Sequence, residues 1–328
     1  MLPMQNELLT PAQTAARIAT GAVLSIAGPD ALLATLPKGN WIGGTTIYML
    51  TEDGGAEVED RLFCSTLDSA TTASIRHLAP DDLPALAGGQ IPGGITLMMI
   101  PAFSQAHSRF ALDGTGYPGL FDQPLMGWIT GVPLGQIGRT APAIYDGRTG
   151  QRHTEGAVVL HVGLPEGRRP ALDIVNIFAP RDDLTLTFPE TGFSAREVTV
   201  DGTTRPLASL LAERGIDTRL PLIANYAGAA INVSFESVDP ATGDVSFYAP
   251  VIAGVEYRPA RAMPDYAAAF AERLGQGGAG TLSCNCILNY LHGAMAGQRT
   301  GRFTGPVTFG EIAYILLNQT LVTLDLAA

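Results

Sequence analysis

Residues 281–292 read TLSCNCILNYLH, and two of the chain's three cysteines stand two apart there. His292 follows six residues after the second. Zinc requires three or four ligands at tetrahedral positions. Cys284, Cys286 and His292, with the remote Cys64, are of suitable type, yet no paired C-x-x-C knuckle frames them. A nucleophilic thiol requires a base and an orienting group close in space. None of His77, His107, His153, His161 or His292 forms a known motif with either cysteine. On a strand, residues i and i+2 share a face ~6.6–7 Å apart, at or beyond the usual Cα separation of a disulfide. The remaining reading is a pair of buried small hydrophobes.

Glu311 is the second chemical feature. It lies in VTFGEIAYILL, a strand with apolar residues on both faces. A carboxylate there faces a polar cavity, pairs with an arginine such as Arg261, Arg299 or Arg302, or costs desolvation energy. Gly310 beside it lets a backbone or ligand approach closely. As a ligand contact Glu311 would read a cation such as an ammonium group, which fits amino-acid-like molecules. Asn285 and Asn289 flank the cysteine strand and would line the same cavity. Trp41 with Gly43 and Gly44 reads either as a pocket wall with a close-approach site or as a core tryptophan followed by a bulge. Asn318 and Gln319 shape a turn or present an amide to a ligand.

The elements that must hold these residues are mostly strands. TPAQTAARIATG carries a capping box, with Thr10 as N-cap, Pro11 at N1, Gln13 at N3 and Gly21 as a stop. Shorter helices are expected at 29–36, over TTASIRHL and over DDLPALAGG. Strands are expected over NWIGGTTIYML and VEDRLFCST. From 94 to about 258 short β-branched and aromatic segments alternate with Gly/Pro/Asp turns. Helices interrupt at 206–215 and 264–275. GPVTFGEIAYILL and QTLVTLDLAA read as an antiparallel pair joined through Asn318. Strands follow strands, so the expected class is α+β with mostly antiparallel sheets packed with helices. The turns YDGRTGQ and VDPATGD echo each other, but such turns are too common to establish a duplication.

Composition removes several functions. The net charge of −11 argues against nucleic acid and against an anionic membrane surface; the nearest basic cluster is EGRRP at 166–170. No run of about 18 uncharged apolar residues appears, and the N-terminus lacks a secretory pattern. Three unevenly placed cysteines make no disulfide framework, so a cytoplasmic setting is expected. GGQIPGG lacks the G-K-[ST] of a phosphate loop, and GQIG is too short for a dinucleotide fingerprint. No cofactor and no metal are expected.

Several segments resemble FIST domains. VTVDGTTRPLASLLAERG resembles the strand, Asp-Gly turn and helix that open the C-terminal half. TLSCNCIL resembles that family's strand ending in cysteine. FTGPVTFGEIAYILLNQTLVTLDL resembles its closing Gly-Glu strand and Asn-Gln-Thr-Leu strand. The likeness covers about 190–328, with NWIGGTT, QPLMGWITGVPLG and VVLHVGLPEG fitting an N-terminal half by order. NWIGG, INVSF and FYAPV are similar to a narrower bacterial family of unknown function. FIST proteins commonly have Gly-Arg after the cysteine, where this chain has Asn285-Cys286-Ile287. The resemblance implies two halves, 1–190 and 191–328, forming one compact unit. It implies a cytoplasmic sensory module that binds a small ligand or a protein partner and has no established catalytic residues. The expected ligand contacts are Glu311, Gly310, Cys284, Asn285, Cys286, Trp41, Gly43, Gly44 and Asn318. The alternative is a hydrolase or transferase using Cys284 or Cys286, with His292.

Overall fold

The computed structural model describes residues 4–68, 70–226, 228–274 and 281–326. The first helix, Pro11–Ala19, forms as its caps dictate. The Thr10 hydroxyl accepts from the Gln13 amide, and the Gln13 carboxamide oxygen accepts from the Thr10 amide at 2.9 Å. Two otherwise orphaned donors are thereby satisfied. Chain direction reverses past Gly21, which takes φ +82°.

The chain divides into two compact units. The first comprises 1–175, 267–316 and 321–328; the second comprises 176–266 and 317–320. The expected boundary at 190/191 falls inside the second unit.

Three six-stranded sheets build the first unit. The first sheet runs Gln5–Leu9, Leu62–Thr66, Leu24–Gly28, Trp41–Thr45, Ile144–Asp146, Gln151–His153. The second runs Ile315–Leu317, Glu311–Ala313, Leu125–Thr130, Ile95–Pro101, Ala157–Gly163, Thr72–Leu78. The third runs Ala171–Val175, Leu321–Asp325, Thr281–Cys286, Gly305–Thr308, Tyr48–Thr51, Gly54–Glu57. Most of the described pairings are antiparallel; Leu24–Gly28 with Trp41–Thr45, Thr281–Cys286 with Gly305–Thr308, and Ile95–Pro101 with Leu125–Thr130 are parallel. Sheets with interspersed helices make the α+β class.

Ile95–Pro101 is buried along its whole length, which is why it reads as an unbroken apolar run rather than an alternating one. It pairs in parallel with Leu125–Thr130. A parallel pair needs a long crossover, and the helix Gln105–Asp113 supplies it. This helix is absent from the sequence expectations. Its signal is present in Ser104, which caps it by accepting from the His107 amide.

The three sheets enclose one interior. A cavity of about 20 Å³ inside it is lined by Ser25 and Phe63 from the first sheet, Met99 and Trp128 from the second, and Leu282 and Pro306 from the third.

Two expectations are corrected. TTASIRHL is a strand, Thr72–Leu78, paired residue for residue with Ala157–Gly163. Full-length pairing outweighs the weak local helical pattern. The Gly-Glu segment and the last strand are not partners. Glu311–Ala313 pairs with Leu125–Thr130 in the second sheet, whereas Leu321–Asp325 pairs with Ala171–Val175 and Thr281–Cys286 in the third. The expected helix at 264–275 appears as Tyr266–Leu274; its stop, Gly275, lies outside the described residues.

The second unit has a six-stranded sheet and the three-stranded sheet Gly192–Ala195, Val245–Val251, Phe235–Val238. Phe188 makes edge-to-face contacts with Phe247 and Tyr257 at its centre, a favoured aromatic geometry. Helix Leu207–Glu213 contributes Leu207, Leu210 and Leu211 to the same core.

Two substitutions test this architecture by urea denaturation. Thr10→Ala should cost about 1 kcal/mol through the lost cap. Gly127→Ala should cost about 1–3 kcal/mol or more, because a Cβ there would fall on the Met98 carbonyl oxygen of the parallel neighbour. Equal stability of Gly127→Ala and wild type would refute that close approach.

Candidate functional site

Glu311 is the most deeply buried acid, with 0% exposure. It lies opposite Trp128 in the antiparallel register. The Thr308 hydroxyl stands 3.5 Å from its Oε1. That hydroxyl also donates to the Gly310 carbonyl at 3.0 Å, and the Ile129 amide donates to the same carbonyl at 2.8 Å. Gly310 is thus fixed by its backbone oxygen.

The cysteine strand comes close to Glu311 without pairing with its strand. Cys284 and Cys286 are fully buried. The Cys284 thiol points at the Gly127 carbonyl oxygen, 3.5 Å away. Burial pushes this thiol well above its ordinary range, and the Glu311 carboxylate and Cys286 push it further in the same direction. Cys64 sits in a different apolar cluster, and burial raises its thiol to about 11. Asn285 and Asn289 are buried and linked by an amide hydrogen bond of 2.9 Å. His292 is exposed at the end of helix Ile287–His292, which follows directly on the cysteine strand. Among the described residues no three His, Cys, Asp or Glu side chains gather as metal ligands would.

Trp41 is a core residue. Its indole N–H donates to the Pro37 carbonyl at 2.9 Å, and its ring stacks on Tyr145. No bulge interrupts its strand. Gly43 and Gly44 face opposite ways. A Cβ on Gly43 would meet the Trp41 ring at 2.8 Å, and one on Gly44 would meet the Trp128 ring at 2.5 Å and the Thr130 methyl at 2.6 Å. Both are close-approach sites, and both serve packing. Asn318 and Gln319 belong to the second unit. Gln319, at φ +48°, accepts from the Ser234 hydroxyl and donates to the Arg219 carbonyl. Asn318 is buried and donates to the Leu317 carbonyl. The structure therefore brings together Glu311, Gly310, Cys284 and the Thr308 hydroxyl, and places Trp41 in a separate cluster.

An open cleft of about 620 Å³ lies elsewhere in the first unit. Its walls include Phe103, Ser104, Ile137, Arg139, Thr154 and Glu155. Phe103 is 58% exposed and sits at φ +63°, a left-handed conformation that is costly for a bulky residue. Its ring contacts Phe309 edge-on at 6.2 Å. Ile137 is 45% exposed. Glu155 accepts from the Gln105 amide at 3.0 Å, which places a carboxylate at the start of the helix Gln105–Asp113, where its dipole favours negative charge. Sequence reading missed this cleft because no motif marks it. Its one local signal is the Phe-Ser pair just before the helix.

A model described as "Family of unknown function (DUF6976)" matches residues 9–327. The chain belongs to that family. No curated protein and no solved structure matches it. The expected membership in a narrow family of unknown function is thus met, while none of the three comparisons returned a FIST domain. Among the described residues of this family member no helix is long and apolar enough to cross a membrane.

Two histidines are held neutral by burial. His161 is fully enclosed, with its Nδ1 3.0 Å from the Thr96 hydroxyl. Burial, reinforced by Arg76, pushes it down to about 4. Burial alone pushes His107 down to about 4. An unfolded histidine titrates near 6.5. Between these values the unfolded chain holds protons that the folded chain refuses, so stability is full above about pH 6.5 and declines as pH falls toward 4. For His161 the decline is at most about 3 kcal/mol. Urea midpoints across this range should show it, and His161→Asn should flatten the slope. An unchanged slope in that variant would sink the assignment.

The thiols give a second prediction. A disulfide reagent should label Cys284 and Cys286 only as fast as the protein unfolds, with no pH-shifted fast phase. Rapid labelling of the native protein would contradict the enclosed arrangement.

Proposed function

We propose that this protein is a non-catalytic, FIST-like sensory binding module that takes a small molecule in the cleft bounded by Phe103 and Glu155. The observation that carries the reading is Phe103. An aromatic ring held exposed at a strained backbone angle, on the wall of a cleft of ligand size, is a feature that packing alone does not require. Ile137 extends the apolar wall. Arg139 and Glu155 give the same lining one positive and one negative side chain. That set suits a zwitterion with an apolar side chain, such as an amino acid, its ammonium toward Glu155 and its carboxylate toward Arg139.

Glu311 then has a different role from the ammonium reader anticipated from sequence. It is enclosed with Thr308 and Cys284 and lines neither this cleft nor the one bordered by Asn225 and Arg258 in the second unit. A structural clasp between the second and third sheets accounts for it. The cysteine-enzyme alternative finds little support. A thiol raised by burial and by a neighbouring carboxylate, as Cys284 is, is a poor nucleophile. We assign the module to the cytoplasm, since all three cysteines are thiols rather than disulfides.

Thermal shift against a panel of amino acids and dipeptides tests the proposal. Stabilisation should grow as RT ln(1 + [L]/Kd), about 2.7 kcal/mol at a hundredfold excess over Kd. Phe103→Ala and Arg139→Met should each abolish the shift while melting near the wild-type temperature without ligand. A flat response across the panel, or equal shifts in the variants, would remove the cleft from consideration.

A further inference from the structure

Two histidines from different sheets lie face to face beside the cleft. His77 belongs to Thr72–Leu78, the edge strand of the second sheet, and His153 ends Gln151–His153, the edge strand of the first. Their ring centroids are 3.7 Å apart and their planes differ by 11°. The His77 Nε2 lies 2.9 Å from the Glu155 carbonyl oxygen, so it carries the proton and donates it. The His153 Nε2 is enclosed and has no hydrogen-bond partner among the described residues. Gly156 brings the loop hard against His77, since a Cβ there would stand 2.6 Å from Nε2. The same short loop carries Thr154 and Glu155, which line the cleft, and Glu155 caps the Gln105 amide.

The surrounding charges are committed to other partners. Asp146, on the strand beside Gln151–His153, acts on His153 but accepts from the Arg148 amide and guanidinium. Arg152, next to His153, is clasped by Asp30 through two nitrogens. Arg76, next to His77, donates to the Ala85 carbonyl and acts on His161. His107 lies within the helix that Glu155 caps and accepts from the Phe103 amide. Parallel rings send their nitrogen lone pairs along parallel lines, so the pair does not converge on a metal ion. What it controls is charge. The stack tolerates two neutral rings or one proton; a second proton places like charges 3.7 Å apart with little water between them.

We propose that the His77–His153 stack is a proton-operated latch on the cleft, closed when neutral and released when both rings are protonated. This rests on the cleft being the binding site. Release frees the Glu155 carbonyl from His77, lets the loop 154–156 move, and draws the Glu155 carboxylate off the Gln105 amide. The closed state binds fewer protons on the pair than the open state. It is therefore favoured near neutral pH and loses ground as the solution becomes acidic. Burial and the neighbouring His77 both depress the proton affinity of His153, in keeping with this sign.

Native-state hydrogen exchange on the full chain, without ligand, from pH 7.5 to 5.0 and corrected for the chemical exchange rate, tests the latch. Protection of the Gln105 amide and of residues 154–156 should fall about tenfold for each unit by which stacking separates the two titrations, while Ile95–Pro101 keeps its protection. His77→Gln retains a donor for the Glu155 carbonyl and does not ionise; His153→Phe retains a stacking ring and does not ionise. Both should give flat profiles. The latch is refuted by a flat wild-type profile, by variants that keep the wild-type fall, or by a fall shared equally with Ile95–Pro101. Because no ligand is present, a failed amino-acid titration leaves this result standing, and a flat exchange profile leaves binding in the cleft untouched.

Discussion

Much of the first unit depends on the bare backbone at Gly44. The Trp128 ring and the Thr130 methyl lie where its side chain would be, so the first and second sheets meet at a distance that any other residue would prevent. Trp128 in turn stands opposite Glu311. Closing the sheets over the tryptophan therefore closes them over a carboxylate. The energetic consequence is large, since an isolated buried charge is very costly. The fold answers by grouping polar atoms there, with the Thr308 hydroxyl reaching Glu311, Gly310 and Asn285 from one position.

The same enclosure explains the chemistry of the cysteines. A thiol becomes a nucleophile when its anion is stabilised. Around Cys284 every influence runs the other way: burial, a neighbouring carboxylate and a second thiol. The cysteine strand is buried along its length, whereas Phe103 and Glu155 line an open cleft.

Legibility followed locality. The capping box at Thr10, the helix after the Asp-Gly turn at 201–202 and the β-rich stretch from 94 onward were all readable, because each is set by neighbours in sequence. Thr72–Leu78 was not, since its strand character comes from a seven-residue pairing with Ala157–Gly163. The partners of Glu311 were not readable either, because Trp128 lies nearly two hundred residues upstream. Glu311 and Cys284 stand out in the sequence by residue type, and the structure places them close enough for the carboxylate to act on the thiol. What sequence does not encode locally is whether the space between them is open. The cleft at Phe103 escaped notice because it is made of ordinary residues placed by long-range pairing, and its most telling mark is a backbone angle.

The strand Leu321–Asp325 lies inside its sheet, between Ala171–Val175 and Thr281–Cys286. A ribosome delivers its two neighbours first, and they must wait with their inner edges unsatisfied until the intervening strand emerges. The third sheet thus assembles by insertion rather than by growth at an edge. Such an order leaves apolar strands exposed during synthesis. The stretch 176–266, which lies in the second unit and is translated during that interval, separates the waiting strands in time as well as in sequence.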